Sequence, residues 1–203
     1  MNDMSQKEVW DKIAEQWHDY RKNPSEEVVK FSKGKKGRIL DIACGNCRQL
    51  VPFRGCELYG TDFSEKMIEK AKKYCEENNM SVDLRVAEAS LLPFGDNFFD
   101  VVLFLYSLHN LKEEDRTKSL QEMFRVMKPG GFGMISVWLK SYKGEKEKYW
   151  GVDKDEAVYR YYHFFSKEEL ENLVKIVGFK IIKSYIAGRK QKNIFVEVKK
   201  VGK

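Results

Sequence analysis

The stretch Arg38-Ile39-Leu40-Asp41-Ile42-Ala43-Cys44-Gly45-Asn46-Cys47 begins as an apolar strand and breaks into a glycine turn. A second apolar stretch closes in Gly60-Thr61-Asp62, a little over twenty residues beyond Asp41. Backbone amides at a tight turn entering a helix can cradle a charged cofactor group, and an acid closing the next strand can accept both hydroxyls of a ribose. A dinucleotide site would carry three glycines at this turn. Here there is one, with Ala43 and Cys47 where glycines could stand, which disfavours a pyrophosphate pressed against the backbone. Asp41 adds a negative charge that repels phosphates and suits a cationic amino group. A cofactor with adenosine, an ammonium and no phosphate fits this pattern, and S-adenosylmethionine has that chemistry.

On either side of this unit, strands and helices alternate. Ser5 and Glu8 make a capping box, and Val9, Trp10, Ile13, Ala14, Trp17 and Tyr20 recur at helical spacing, predicting an amphipathic helix over 5–20. Asn23-Pro24-Ser25 stops it and caps a second helix carrying Val28, Val29 and Phe31. Strands are predicted near 38–43, 57–61, 82–87, 100–106 and 132–138, with helical spacing over 65–77 and 113–128. After a polar insert at 139–157, a helix at 167–176 capped by Ser166 and Glu169 leads into β-rich segments at 179–186 and 193–199. The alternation implies a mostly parallel sheet covered by helices on both faces, ending in an antiparallel hairpin. The expected organisation is one domain over 1–203: N-terminal helices to 36, a cofactor-binding core over 37–138, and a substrate-side insert with the hairpin over 139–203.

A chain of 203 residues with 42% hydrophobic content can bury one substantial core. It has no apolar run long enough to span a bilayer and no signal-peptide pattern at its start, so the expectation is a soluble, cytoplasmic protein with no membrane partner. Cys44, Cys47, Cys56 and Cys75 read as free thiols. Cys44 and Cys47 form a C-x-x-C, which suits redox chemistry or half a zinc site, but no second such pair or histidine pair completes a metal set. The net charge of +6 is concentrated at the end of the chain: Lys180, Lys183, Arg189, Lys190, Lys192, Lys199, Lys200 and Lys203 face only one acid, Glu197, from Phe179 onward. Such a cluster suits a nucleic-acid partner or a lysine-rich solvated surface.

Three further stretches occur in order: Val86-Ala87-Glu88-Ala89, Leu92-Pro93-Phe94-Gly95-Asp96-Asn97-Phe98-Phe99-Asp100, and Arg125-Val126-Met127-Lys128-Pro129-Gly130-Gly131. With the opening turn they resemble the class I S-adenosylmethionine-dependent methyltransferases across about residues 9–138, which implies a Rossmann-like α/β fold with a seven-stranded sheet. By that resemblance Asp41, Ala43 and Gly45 surround the methionine part of the cofactor, Asp62 takes the ribose hydroxyls and Phe63 packs on adenine. Glu88 accepts from the adenine amino group, Ala89 offers its amide, and Leu105 lines the same site. The family usually has glycines where this chain has Ala43 and Cys47, enlargements expected to tighten the pocket, and an aspartate in place of Glu88.

The segments Tyr20-Arg21-Lys22-Asn23-Pro24, Ser107-Leu108-His109, Ser136-Val137-Trp138 and Arg160-Tyr161-Tyr162-His163-Phe164-Phe165 resemble one subfamily, the tRNA wobble-uridine carboxyl methyltransferases, which esterify a 5-carboxymethyl group. Asn193 with Phe195 is similar to a later motif of those enzymes. Where they pair two histidines after strand four, this chain has His109-Asn110. The resemblance implies tRNA as substrate, not DNA, and a small zinc-binding activator as partner. A carboxylate acceptor is already ionised at neutral pH and needs alignment rather than a strong base. Arg21, His109, Tyr161 and His163 are the groups expected around it. The same core also serves small-molecule acceptors, and the altered turn at Ala43 and Cys47 would suit a non-catalytic cofactor-binding subunit.

Overall fold

The computed structural model describes residues 4–139, 159–188 and 192–202, and the backbone of 147–151. Helices α1 (Gln6–Tyr20) and α2 (Glu26–Ser32) precede β1 (Arg38–Ile42), β2 (Glu57–Asp62), α3 (Glu65–Glu77), β3 (Val82–Val86) and β4 (Phe99–Leu105). Then come α4 (Glu113–Val126), β5 (Met127–Trp138), β6 (Glu147–Gly151), β7 (Tyr159–His163), α5 (Lys167–Val177), β8 (Phe179–Ala187) and β9 (Asn193–Lys200). Seven strands form one sheet in the order β3-β2-β1-β4-β5-β9-β8. Pairings among β1 to β5 are parallel, while β9 runs antiparallel to both β5 and β8. The architecture is the mostly parallel sheet with a terminal antiparallel hairpin that the alternation predicts, and the class I Rossmann-like α/β fold that the resemblance implies.

The central parallel strands are buried on both faces, the edge strand β3 is not, and two apolar clusters flank the sheet. On one side Leu40, Ile42, Val102 and Phe104 pack with Leu120 and Met123 of α4 and Leu170 and Val174 of α5. On the other, Ile39, Val101 and Leu103 meet Phe31 of α2 and Ile68, Ala71 and Tyr74 of α3. The capping boxes of α1 and α5 form as predicted, and Ser64 caps α3. Asp11 of α1 accepts from the Ser64 hydroxyl (2.5 Å) and the Lys66 amide (3.2 Å), and Lys7 pairs with Glu65 (3.0 Å). These contacts seat α1 beside the start of α3.

Three segments differ from expectation. The glycine turn enters a 3-10 helix, Arg48–Phe53, because Pro52 has no amide to propagate an α-helix. Helix α4 stops at Val126 and β5 starts at Met127, where Pro129-Gly130 cannot continue a helix. The insert contains strand β6, which pairs with β7 as a separate antiparallel ribbon. Lys200, counted above with the basic terminus, instead turns inward: its Nζ donates to Asn97 Oδ1 (2.8 Å) and to the carbonyls of Phe124 (2.7 Å) and Met127 (2.8 Å). Arg189, Lys190 and Lys203 lie outside the described residues. No helix among the described residues is long and apolar enough to cross a membrane.

Candidate active site

The carboxyl ends of β1, β2, β3 and β4 open onto one slot. Asp41, Ala43, Gly45, Asp62, Phe63, Glu88, Ala89 and Leu105 all line it, so the residues expected around the cofactor are brought together. Asp62 ends β2 almost fully buried, with Oδ2 accepting from the Gly45 amide (3.0 Å) and Oδ1 from the Ser64 amide (3.0 Å). Two amides fix the carboxylate and leave each oxygen a lone pair for a hydroxyl. Burial raises its pKa to about 6 against the pull of those amides. Asp41 is also buried, its Oδ2 has no hydrogen-bond partner, and burial pushes it to about 8 although the Arg48 charge draws it down. Glu88 is exposed at the mouth of the slot and is raised too, chiefly by the desolvation it does undergo.

The turn is backbone-strained where it meets the slot. Ala43 (φ 53°) and Cys47 (φ 64°) take the left-handed conformation that glycine adopts freely, and Tyr106 does so at the end of β4 (φ 59°). At Gly45 (φ 55°) a Cβ would stand 3.1 Å from the Trp17 ring, so the indole lies directly over the bare backbone. The slot thus combines an unpartnered buried carboxyl, a fixed strand-end carboxylate and a cradle without a side chain, a set that fits the ammonium, ribose and methionine backbone of S-adenosylmethionine.

Cys47 does not tighten the slot as its size suggested. It is fully buried beneath the turn, and a Cβ on Gly60 would stand 3.1 Å from the sulfurs of both Cys44 and Cys47. Cys44 forms a hydrogen bond with Cys47 that favours its thiolate, but burial and the neighbouring carboxyls outweigh this and push it up to about 11. Thiols so placed are inert at neutral pH, which removes the motive for a redox role. All four cysteines are free, and no group of His, Cys, Asp or Glu among the described residues could hold a metal ion.

The slot adjoins a chamber of about 980 Å³, and the two share Trp10, Trp17, Arg48, Tyr106 and Asn110. The chamber is lined by Trp10, Trp17, Tyr20, Tyr106, Trp138 and Tyr162 and by the cations Arg21, Lys22, Arg48 and Arg160, with no acid among the described residues that line it. His109 is buried at its wall, stacked on Trp138 (5.3 Å, 22°) and Tyr162 (5.6 Å, 15°). Burial first, then the charges of Arg160 and His163, press His109 down to about 3, so it is neutral at physiological pH, with Nδ1 unpaired.

Of the four residues expected around the acceptor, Arg21 and His109 line this chamber; Tyr161 and His163 line neither cavity. Strand alternation is the reason: along β7, Arg160 and Tyr162 face the chamber while Tyr161 and His163 point the other way. Tyr161 contributes backbone, its amide donating to Gln6 Oε1 (2.9 Å) and its carbonyl accepting from Asn110 Nδ2 (2.8 Å). His163 is buried edge-on to Phe165 (4.6 Å), and its Nε2 donates to Glu169 Oε1 (2.6 Å) in the capping box of α5. Trp10, Trp17, Arg48, Arg160 and Tyr162 also line the chamber; the sequence marks the tryptophans only as a helix face and Arg160 and Tyr162 only as part of the subfamily motif, and it does not single out Arg48.

Residues 39–131 match a family model described as a methyltransferase domain. The matched residues form a methyltransferase domain on the class I Rossmann-like sheet. Over 133 residues, 64% of this chain, it is 35% identical to a tRNA (carboxymethyluridine(34)-5-O)-methyltransferase of Arabidopsis thaliana, of which it spans 31%. It is 28% identical over 192 residues to a demethylmenaquinone methyltransferase of Staphylococcus carnosus, covering 79% of this chain and 76% of that one. A crystal structure of a SAM-dependent methyltransferase from Methanosarcina mazei shares the fold with a TM-score of 0.78 at 20% identity, covering 89% of this chain and all of the other. S-adenosylmethionine is the cofactor of this methyltransferase domain.

Proposed function

We propose that the protein methylates the carboxymethyl group of a modified wobble uridine in tRNA to its methyl ester. The observation that carries the proposal is the composition of the chamber: aromatic walls suit a planar base, and four cations with no acid among the described lining residues suit an anionic acceptor. A neutral quinone-type ring, the acceptor class suggested by the Staphylococcus relative's name, would leave Arg160 without an anion. The Arabidopsis relative's name adds support for the tRNA reading.

The bound cofactor supplies an electrophilic methyl group. In this proposal Asp62 and Asp41 hold the cofactor, and the wall of Trp10, Trp17, Tyr106 and Asn110 excludes water where the two cavities meet. Neutral His109 and the chamber arginines orient a carboxylate that needs no deprotonation. A small zinc-binding activator, expected from the subfamily resemblance, belongs to the same proposal.

The test uses labelled cofactor and tRNA from cells lacking the modification. Esters are cleaved by mild alkali and N-, C- or ribose-methyl groups are not, so transferred label should leave as volatile methanol at high pH. Alkali-stable label in tRNA would eliminate the carboxyl chemistry. Label found only in metabolites would transfer the assignment to the small-molecule reading.

A further inference from the structure

Four cations are among the described residues that line the chamber, and two of them, Lys22 and Arg48, are held by polar partners. Lys22 pairs with Asp19 (3.7 Å) and its Nζ meets His18 Nε2 (3.0 Å). Arg48 lies against the slot as well as the chamber, feels the Asp41 carboxyl and donates from Nη1 to the Asn23 carbonyl (3.4 Å). Arg21 is exposed and rests on the Trp17 ring at 5.9 Å.

Arg160 is different. Its guanidinium lies 5.3 Å from the centre of the Trp10 ring and 5.2 Å from that of Tyr162, between two aromatic groups. It forms no ion pair among the described residues, and its Nε, like that of Arg48, is buried without a hydrogen-bond partner. Next to it stand the stacked rings of Tyr162, Trp138 and His109. Arg160 is half-buried, and holding a cation even partly out of water with no anion opposite among the described residues is unfavourable; two flanking rings restore only part of the lost hydration. The rings also fix the planar fork, so little freedom is lost when it takes a carboxylate.

We propose that Arg160 is the specificity-determining residue of the chamber, binding the acid group of the acceptor through its guanidinium and so selecting an ionised acceptor over its neutral counterpart. The inference rests on the chamber being the acceptor site of the proposed transfer. It goes further in naming the group that reads the charge, a group on the face of β7 opposite to Tyr161 and His163.

The experiment measures equilibrium binding by tryptophan fluorescence, since Trp10, Trp17 and Trp138 line the chamber. The protein is saturated with S-adenosylhomocysteine, whose own affinity, measured by calorimetry, serves as the folding control. Two acid and amide pairs are titrated: 5-carboxymethyluridine with 5-carbamoylmethyluridine, and phenylacetate with phenylacetamide. The wild type should prefer each acid by at least about tenfold, the value of one charge-assisted hydrogen bond. Arg160→Met should abolish the preference and leave the amides bound as before, while Arg160→Lys should restore part of it.

Acid preference surviving in Arg160→Met would overturn the proposal. So would equal loss of acid and amide in that variant, which would mean packing alone, or a wild type indifferent to charge in both pairs. If the wild type distinguishes phenylacetate from phenylacetamide through Arg160 but does not distinguish the uridine pair, the role of Arg160 stands and the wobble-uridine reading falls.

Discussion

In the slot, each carboxylate oxygen of Asp62 is tied to a backbone amide, and the groups come from the ends of consecutive parallel strands. In the chamber next door, no carboxylate is among the described lining residues, and the groups come from α1 and the loop after it, the end of β4, β5, β7 and the start of β9. The slot is therefore a property of local backbone geometry, repeated wherever a strand of this sheet ends in an acid. The chamber is a property of how distant elements meet. Such a division lets one cofactor site serve different acceptors, since the chamber wall can change without disturbing the strand ends.

The largest effect expected is at the slot's fixed carboxylate. Asp62→Ala removes both charge-assisted acceptors for the ribose, so cofactor affinity should fall by about 2–4 kcal/mol, read by calorimetry on protein shown to be folded. Undiminished affinity would mean that the ribose is held elsewhere, and the comparison between a fixed slot and an open chamber would collapse.

A second effect separates the two faces of β7. His163 is enclosed by Phe165 and bonded to Glu169, so His163→Ala leaves a cavity and a freed carboxylate at the start of α5. A stability loss of about 1–3 kcal/mol is expected in urea denaturation. Cofactor affinity should be unchanged. If stability were intact and methyl transfer lost, His163 would belong to the chamber after all.

The contrast also explains what could be read from the chain. Asp41, Gly45, Asp62 and Glu88 were legible because a strand followed by a turn or an acid places its last side chain at the sheet's carboxyl edge, whatever the rest of the fold does. Trp10 and Trp17 were legible only as an apolar helix face, because periodicity says that a face is covered and not that it roofs a cavity. Period two along Arg160-Tyr161-Tyr162-His163 separates two pairs. It cannot say which pair faces the chamber, since that depends on β6 and on α1 packing beside the ribbon. Cys47 and Lys200 were misjudged for a related reason: size and charge do not reveal that a thiol turns under its own loop, or that an ammonium is drawn inward by three oxygens.

The smallest expected effect is a pH dependence carried by Asp41. Its folded pKa of about 8 lies above the ordinary 3.8, so the ligand-free fold binds this proton more tightly than the unfolded chain does. As far as this group is concerned, the ligand-free protein is at its most stable below 3.8 and loses stability as pH rises from there to about 8. A cofactor ammonium beside Asp41 would favour the ionised form, so binding at neutral pH should release up to about one proton and affinity should rise up to tenfold per pH unit, levelling near pH 8. Asp62, at about 6, adds a separate rise at lower pH. Calorimetry at pH 7 in two buffers of different ionisation enthalpy measures the released proton directly. In Asp41→Asn the release should vanish while the lower step remains. A wild-type heat independent of buffer would place the ammonium away from Asp41 and leave that carboxyl protonated in the complex.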